Sequence, residues 1–139
     1  MAKVKQLTIS LENQLGALAA VAQALADARV NIVAFLGSTA GRRGSVQVVV
    51  DNIQKARKAL NGAQFPFAEG TLEQVELPNK SGALAEFAAR LAKKGMNIDA
   101  AYGSVPKGAK KSVLYFATSR RDAQAVADET HRARVTGKR

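Results

Sequence analysis

The chain has no cysteine, no tryptophan and a single histidine, His131. Without cysteine it can form no disulfide, no cysteine-bound zinc site or iron–sulfur cluster, and no thiol nucleophile. One histidine excludes a metal site with several histidine ligands and leaves only a residue near the C-terminus for general base work. Aromatic residues are 5% of the sequence, so few rings are available on which bases or sugars could stack.

Long apolar runs are missing as well. No stretch approaches the roughly 18 uncharged apolar residues that cross a bilayer. The first strand-like segment alternates Leu7, Ile9 and Leu11 with polar residues, unlike the continuous apolar core of a signal peptide. The 139 residues, 47% hydrophobic and 23% charged, can fill one ordinary domain or two very small ones. We therefore expect a cytoplasmic protein with no membrane partner.

Positive charge is in excess, with 21 Lys and Arg against 11 Asp and Glu and a formal charge of +10. Much of the excess follows Lys107, in a loop and in a basic tail over residues 131–139. The simplest interpretation is a solvated terminus. The alternative is a patch for nucleic acid or an acidic protein, but no recognition motif or interleaved aromatic residue supports nucleic acid.

The most informative feature is an internal repeat, which appears when the chain is compared with itself at a shift of 66 residues. Residues 13–38 read NQLGALAAVAQALADARVNIVAFLGS, and residues 79–104 read NKSGALAEFAARLAKKGMNIDAAYGS. Thirteen of these 26 positions are identical, including the pattern N-x-x-G-A-L, the pair Asn-Ile and the final Gly-Ser. Alanine matches could arise by chance, but these patterns at one common shift indicate a duplicated module.

Each copy predicts the order β-α-β-β-α-β. Apolar residues alternate before each motif, as in a half-buried strand, and after each glycine they recur at i, i+3, i+4 and i+7, as on one helix face. An Asn-Ile pair then opens a strand, and a glycine-containing hairpin follows. Because crossovers are right-handed, the predicted fold class is α+β: two ferredoxin-like units packed together, each an antiparallel sheet with its helices on one face.

The expected units are residues 1–70 and 71–139. The first helices should end near Arg29 and Gly95, and the second helices should be capped by Asp51 or Asn52 and by Ser119, the latter helix including Ala123, Val126 and Ala127. Phe65-Pro66-Phe67 is predicted as a short final edge strand of the first unit, followed by a linker over Ala68 to Leu72. The last strand of the second unit, within Arg132 to Val135, is expected to be short or missing.

The turn before each first helix can bind an anion. A helix N-terminus presents unpaired amide N–H groups and about half a positive charge, which suit a carboxylate. Gly16 or Gly82 would let a ligand approach the backbone closely, and a nearby asparagine carbonyl could accept a hydrogen bond from an ammonium group. An α-amino acid carries both groups.

These turns, with Gly-Ala-Leu opening a helix and Asn-Ile opening the next strand, resemble the ACT domain, a small regulatory module that binds amino acids. The two copies cover nearly the whole chain, so it resembles a stand-alone tandem ACT protein. The family usually has proline before the glycine, where this chain has Leu15 and Ser81. The resemblance implies effectors held between paired units, each touching the turn of one unit and the second strand of the other. The implied ligand-binding residues are Asn13, Leu15, Gly16, Ala17 and Leu18 with Asn97 and Ile98, and Asn79, Ser81, Gly82, Ala83 and Leu84 with Asn31 and Ile32.

Each of these residues also has a purely structural interpretation. The leucines and isoleucines could be core residues, the glycines could serve only the turn, and the asparagines could bond their own backbone.

The expected function is a non-catalytic amino-acid sensor, without cofactor or metal, that allosterically regulates a separate enzyme or transporter and forms a homodimer. The alternatives are an interaction module without ligand and nucleic-acid binding through the tail. An enzyme is the weakest hypothesis, because no nucleophile–base pair or carboxylate dyad is present.

Overall fold

The computed structural model of the chain describes residues 1–120. The chain divides into two compact units, the first over Met1–Gln74 and the second beginning at Val75. Within the described residues, no helix combines the length and the apolar character needed to span a bilayer.

The first unit has the predicted β-α-β-β-α-β order. Its elements are β1 (Ala2–Glu12), α1 (Ala17–Asp27), β2 (Ile32–Ala40), β3 (Arg43–Val50), α2 (Ile53–Gly62) and β4 (Phe67–Pro78). The strands lie in the order β2-β3-β1-β4, and the three neighbouring pairs are antiparallel. This is the split β-α-β arrangement that right-handed crossovers produce, so the predicted α+β class and its ferredoxin-like topology are confirmed in the first unit.

Both helices of the first unit cover the same face of its sheet. One apolar cluster joins the inward-facing residues of β1 and β3 to both helices. Its most deeply buried members are Leu7, Ile9, Val21, Leu25, Val48, Ala56 and Leu60. Burying a side chain of this size stabilises the fold by about 1.5–3 kcal/mol. Because successive strand residues point to opposite faces, Leu7 and Ile9 fix which side of β1 faces the helices.

Asn52, rather than Asp51, caps α2. The Asn52 side-chain oxygen accepts a hydrogen bond of 3.0 Å from the amide of Lys55. The Asp51 carboxylate instead accepts from the amide of Asn31 at 2.9 Å, and the Asp51 amide donates to the Asn31 carbonyl at 3.1 Å. Asp51 therefore joins the end of β3 to the start of β2.

The second unit begins in the last residues of β4 and continues through α3 (Ala83–Lys93), β5 (Met96–Ser104) and β6 (Lys111–Arg120). β6 lies between β4 and β5 and is antiparallel to β5. Phe87 of α3 and Phe116 of β6 are buried, with their ring centroids 4.8 Å apart. They form the core of this unit together with Val75, Leu77, Ala83 and Leu91.

The first helices end close to the predicted positions. α1 ends at Asp27 and α3 at Lys93, two residues before Arg29 and Gly95. Arg29 has φ 59° and Gly95 has φ 73°, so both lie in the left-handed region. Glycine adopts this conformation without steric cost, which makes Gly95 the better terminator of the two.

The short edge strand and the linker predicted between the units are wrong. The segment from Phe67 to Pro78 is one continuous strand, which contains the predicted linker and the predicted boundary after residue 70. β1 supplies the reason, because it pairs with β4 from Ile9 opposite Phe67 to Ala2 opposite Gln74. A neighbouring strand that offers hydrogen bonds over this length keeps the chain extended.

Two further predictions for the second half need correction or fall outside the described residues. Ser119 does not cap a helix, because it belongs to β6 and pairs with Asn97. The rest of that predicted helix, with Ala123, Val126 and Ala127, lies outside the described residues, as do the predicted strand within Arg132 to Val135 and the basic tail over residues 131–139.

Candidate functional site

The turn between β1 and α1 is held by Asn13. The Asn13 amide donates to the carbonyl of Arg42 at 2.8 Å, and its side-chain Nδ2 donates to the carbonyl of Gly41 at 2.8 Å. Asn13 therefore attaches the end of β1 to the tip of the β2–β3 hairpin. Its side-chain oxygen Oδ1 is left to accept a hydrogen bond.

Helix α1 begins without a side-chain cap. Gly16 precedes the helix with φ 82°, and no side chain accepts a hydrogen bond from its first turn. The Ala17 amide donates to the Gln14 carbonyl at 3.2 Å, so the chain itself occupies that donor. The amides of Leu18 and Ala19 have no acceptor within residues 1–120. Two N–H groups at the positive end of the helix dipole therefore remain for an anion.

A cavity of about 400 Å³ lies beside this helix start. Its walls come from the end of β1, the first turn of α1 and the hairpin strands β2 and β3. The lining residues are Leu11, Glu12, Asn13, Gln14, Ala17, Leu18, Phe35, Gly37, Ser38, Thr39, Gly44, Ser45 and Val46. The volume falls within the roughly 300–1,000 Å³ typical of small-molecule pockets. Of the predicted binding residues, the structure brings Asn13, Ala17 and Leu18 together here.

Leu15 and Gly16 lie on the other side of the turn. They line a smaller hollow of about 220 Å³ with Ala20 and Phe65. The Leu15 side chain is fully exposed. This position therefore packs against nothing within its own unit.

The core interpretation of Leu18 and Leu84 is wrong. Leu18 is 49% exposed and Leu84 is 56% exposed. The buried side of α1 is formed by Val21 and Leu25 instead. The helical period allowed Leu18 on this face, but Leu18 lies in the first turn and lines the cavity, where about half of its side chain is exposed.

Asn31 and Ile32 lie at the opposite end of the first unit from the turn. Ile32 pairs with Val50 at one end of the hairpin, whereas Ala40 pairs with Arg43 at the end that contacts Asn13. Ile32 is half-buried and packs against the core cluster. Within its own unit, this pair does not reach the cavity.

The turn before α3 in the second unit makes hydrogen bonds that correspond to those of the turn before α1. The Asn79 amide donates to the Lys110 carbonyl at 2.9 Å, and Asn79 Nδ2 donates to the Ala109 carbonyl at 2.8 Å. Gly82 has φ 89°, and the Ala83 amide donates to the Lys80 carbonyl at 3.3 Å. Ser81 is exposed and makes no cap. The duplicated motif thus encodes one local structure twice.

Asn97 and Ile98 lie directly after Met96 at the start of β5. Asn97 donates from Nδ2 to the Asp99 carboxylate at 2.7 Å, and Ile98 packs against the core of the second unit. The pairing of each turn with the second strand of the other unit stays a prediction.

Most of the cavity floor is formed by residues that the sequence patterns did not indicate as binding residues: Phe35, Gly37, Ser38 and Thr39 of β2. A signal was available, because Gly37 and Ser38 recur as Gly103 and Ser104 in the repeat. The glycine-containing hairpin that the sequence predicts has a short turn, because β2 continues to Ala40 and leaves only Gly41 and Arg42 between the strands.

No metal centre is evident among residues 1–120, where no group of three or more His, Asp or Glu side chains converges. His131 lies outside this range.

Comparison with known proteins agrees with this geometry. The family model of the ACT domain matches residues 5–61. The crystal structure of a protein from Bacteroides thetaiotaomicron is similar with a TM-score of 0.79 and 26% identity, over 91% of this chain and 85% of that one. The regulatory subunit of aspartate kinase from Thermus thermophilus, in its ligand-free form, is similar with a TM-score of 0.62 and 19% identity over 82% of both chains. No curated protein matches the chain.

The match over residues 5–61 includes the β1–α1 turn and most of the first unit. The second copy of the repeat is not matched by the family model, so a tandem pair of ACT domains stays a prediction. For residues 5–61, the resemblance to the ACT domain is confirmed.

Proposed function

We propose that this chain is a non-catalytic regulatory protein whose first unit binds a free α-amino acid in the cavity beside α1. The observation that carries the proposal is the position of that 400 Å³ cavity, lined by Ala17 and Leu18, at a helix start where the amides of Leu18 and Ala19 have no acceptor within residues 1–120. A water-accessible pocket at an uncapped helix start is suited to a small carboxylate.

Each polar group of an amino acid has a complement in the cavity. The carboxylate would accept hydrogen bonds from the Leu18 and Ala19 amides at the positive end of α1. The ammonium group would donate to Asn13 Oδ1 and to the Glu12 carboxylate, both of which line the cavity. The two charges of the ligand would thus lie against groups of opposite polarity.

Regulation would follow from the position of the cavity between α1, the end of β1 and the β2–β3 hairpin. A ligand that bridges α1, β1 and the hairpin stabilises one arrangement of these elements, and any partner that prefers this arrangement responds. The partner would be an enzyme or a transporter, and the regulated form would be a homodimer. The ACT match at residues 5–61 supports this role.

The test is a thermal-shift screen of the full chain against the standard amino acids, followed by calorimetry. A ligand at a hundred times its Kd raises the free energy of unfolding by about 2.7 kcal/mol. Stabilisation by no amino acid at millimolar concentration would contradict the proposal and favour an interaction module without ligand.

The carboxylate position can be tested with Ala19→Pro. Proline removes the Ala19 N–H, and it is tolerated in the first helical turn because that N–H has no helical acceptor. The matched control is Ala85→Pro, the same change at the equivalent position of α3. We expect Ala19→Pro to weaken binding by about tenfold or more. Equal affinities for the two variants would place the carboxylate elsewhere.

A further inference from the structure

Gly37 and Gly103 occupy the same position in the repeat but face different surroundings. Gly37 pairs with Val46, and a Cβ atom added to Gly37 would meet nothing within 4 Å. Gly103 pairs with Leu114, and a Cβ added there would lie 2.2 Å from Leu114 Cδ2. The space above the glycine is therefore open in the first unit and filled by Leu114 in the second.

The starts of α1 and α3 also differ in burial, and the second unit is again the more closely packed. Ala17 is half-buried and lines the cavity, whereas Ala83 is 7% exposed and belongs to the core of the second unit. Leu114 packs against the cluster that contains Ala83. In the second unit, Leu114 of the chain itself thus fills the space that is open above Gly37 in the first unit.

The charged groups at the two turns differ as well. Glu12 lines the first cavity, and its carboxylate has no hydrogen-bond or ion-pair partner among residues 1–120. The equivalent position in the repeat is Pro78, which carries no charge. Gln14 of the first turn is replaced by Lys80, whose ammonium group would repel that of an amino acid. Only the first turn has a carboxylate to receive a ligand ammonium group.

The part of the cavity over Gly37 is apolar. Val46 lies across from Gly37 and belongs to the core on the helix side of the sheet, so the space above Gly37 opens on the same side. Leu18 and Phe35 line the cavity too, and both side chains are exposed there. A hydrocarbon side chain that entered this space would cover apolar surface that now faces water.

From these differences we propose that the chain binds one amino acid and not two, in the first unit alone, and that this amino acid has an aliphatic side chain lying over Gly37. The inference rests on the proposed function. It narrows the binding residues predicted at two turns to those of the first turn, and it assigns Gly37 and Glu12 as determinants of specificity.

The wild-type chain tests both parts by calorimetry with leucine, isoleucine, valine and methionine beside asparagine, threonine and lysine. We expect one binding site per chain. Leucine should bind at least about tenfold more tightly than asparagine, which has a similar shape but would bury an amide against apolar walls. Two sites per chain, or a preference for the polar amino acids, would overturn the inference while leaving the proposed function intact.

Variants locate the site. Gly37→Val places a branched side chain in the cavity and should abolish binding, and Gly37→Ala, which adds one methyl group, should weaken it. Gly70→Val is the matched control, because Gly70 also lies in a strand of the first unit and an added Cβ would meet only Gln6 Nε2 at 3.9 Å. Gly70→Val should retain wild-type affinity. Binding that survives Gly37→Val in a folded protein would overturn the inference.

Two variants that each remove one charge, one at each turn, test the inference independently. Glu12→Gln should weaken binding by about tenfold, because a charged hydrogen-bond acceptor becomes neutral. Lys80→Gln, the corresponding change in the second unit, should leave the affinity and the single site unchanged. If Lys80→Gln weakens binding and Glu12→Gln does not, the ligand lies in the second unit and the inference is wrong. Failure of every amino acid to bind the wild-type chain would instead contradict the proposed function itself.

Discussion

The side-chain amide of Asn13 donates a hydrogen bond of 2.8 Å to the carbonyl oxygen of Gly41, which lies 28 residues further along the chain. Asn79 makes the same contact with Ala109 at 2.8 Å. The interpretation that these asparagines bond their own local backbone is therefore wrong. Each one joins the strand before its helix to the tip of the following hairpin.

Replacing Asn13 tests this attachment. Asn13→Ala should lower the free energy of unfolding by about 1 kcal/mol, since one hydrogen bond is lost at an exposed site. Amide exchange at the hairpin tip should increase by more than the global destabilisation accounts for. Denaturant titration and hydrogen exchange measure the two effects. Gln14→Ala, in the same turn, is the control and should change stability by less than about 0.5 kcal/mol.

The two leucines of α1 should respond differently to truncation. Leu18→Ala should change the free energy of unfolding by less than about 0.5 kcal/mol, because Leu18 is exposed and alanine favours the helix. Leu25→Ala should cost about 2–5 kcal/mol, because Leu25 is fully buried. Urea titration of both variants decides the matter, and similar losses would show that Leu18 belongs to the core.

Alanine at the two repeat glycines should have opposite effects on stability. Gly37→Ala should be neutral or stabilise by up to about 1 kcal/mol, because the added methyl group meets open space. Gly103→Ala should cost about 1–3 kcal/mol, since its methyl group would crowd Leu114 and lie 3.0 Å from the Val113 carbonyl oxygen. Thermal unfolding measures both variants. In a double-mutant cycle, Leu114→Ala should cost less beside Gly103→Ala than in the wild type, and strict additivity would contradict this crowding.

The free energy of unfolding should decrease in acid because Glu69 of β4 becomes protonated. Arg57 of α2 donates to Glu69 from Nη2 at 2.8 Å, and from Nε to the other carboxylate oxygen. The hydrogen bond from Arg57 lowers the pKa of the Glu69 carboxyl below its usual value. The stabilisation is therefore present at neutral pH and is lost as the pH falls through the folded-state pKa.

The matching experiment compares wild type with Glu69→Gln by urea titration between pH 7 and about 3. The wild type should be the more stable at neutral pH, and the difference should vanish in acid and shrink in high salt, because the pair is partly exposed. Glu76→Gln removes an exposed partner of Lys111 at 3.7 Å and serves as the control. A difference that stays constant with pH would rule out the ion pair as its source.

The repeat was sufficient to predict the topology of the first unit because its signals are local. Alternation at Leu7 and Ile9, the helical period through Val21 and Leu25, and glycine at the helix start each act within a few residues. The same signals predicted a turn before each of these helices, and the structure places Gly16 and Gly82 there in the left-handed region.

What the sequence could not predict depends on contacts between distant segments. The continuity of β4 comes from its pairing with β1, which lies more than fifty residues earlier. The cavity floor depends on how far the β2–β3 hairpin extends, and the filled space in the second unit depends on the side chain opposite Gly103. Propensity and period carry no information about such partners, which tertiary packing supplies.

The strand from Phe67 to Pro78 closes the sheet of the first unit and opens that of the second. A fragment that stops at residue 70 would leave Ala2, Lys3, Val4 and Lys5 of β1 without their pairing partners in β4, because those partners run from Thr71 to Gln74. A cut at the midpoint of the sequence would therefore remove from the first unit residues that its sheet requires, because β4 serves the first unit as far as Gln74 and the second unit only from Val75.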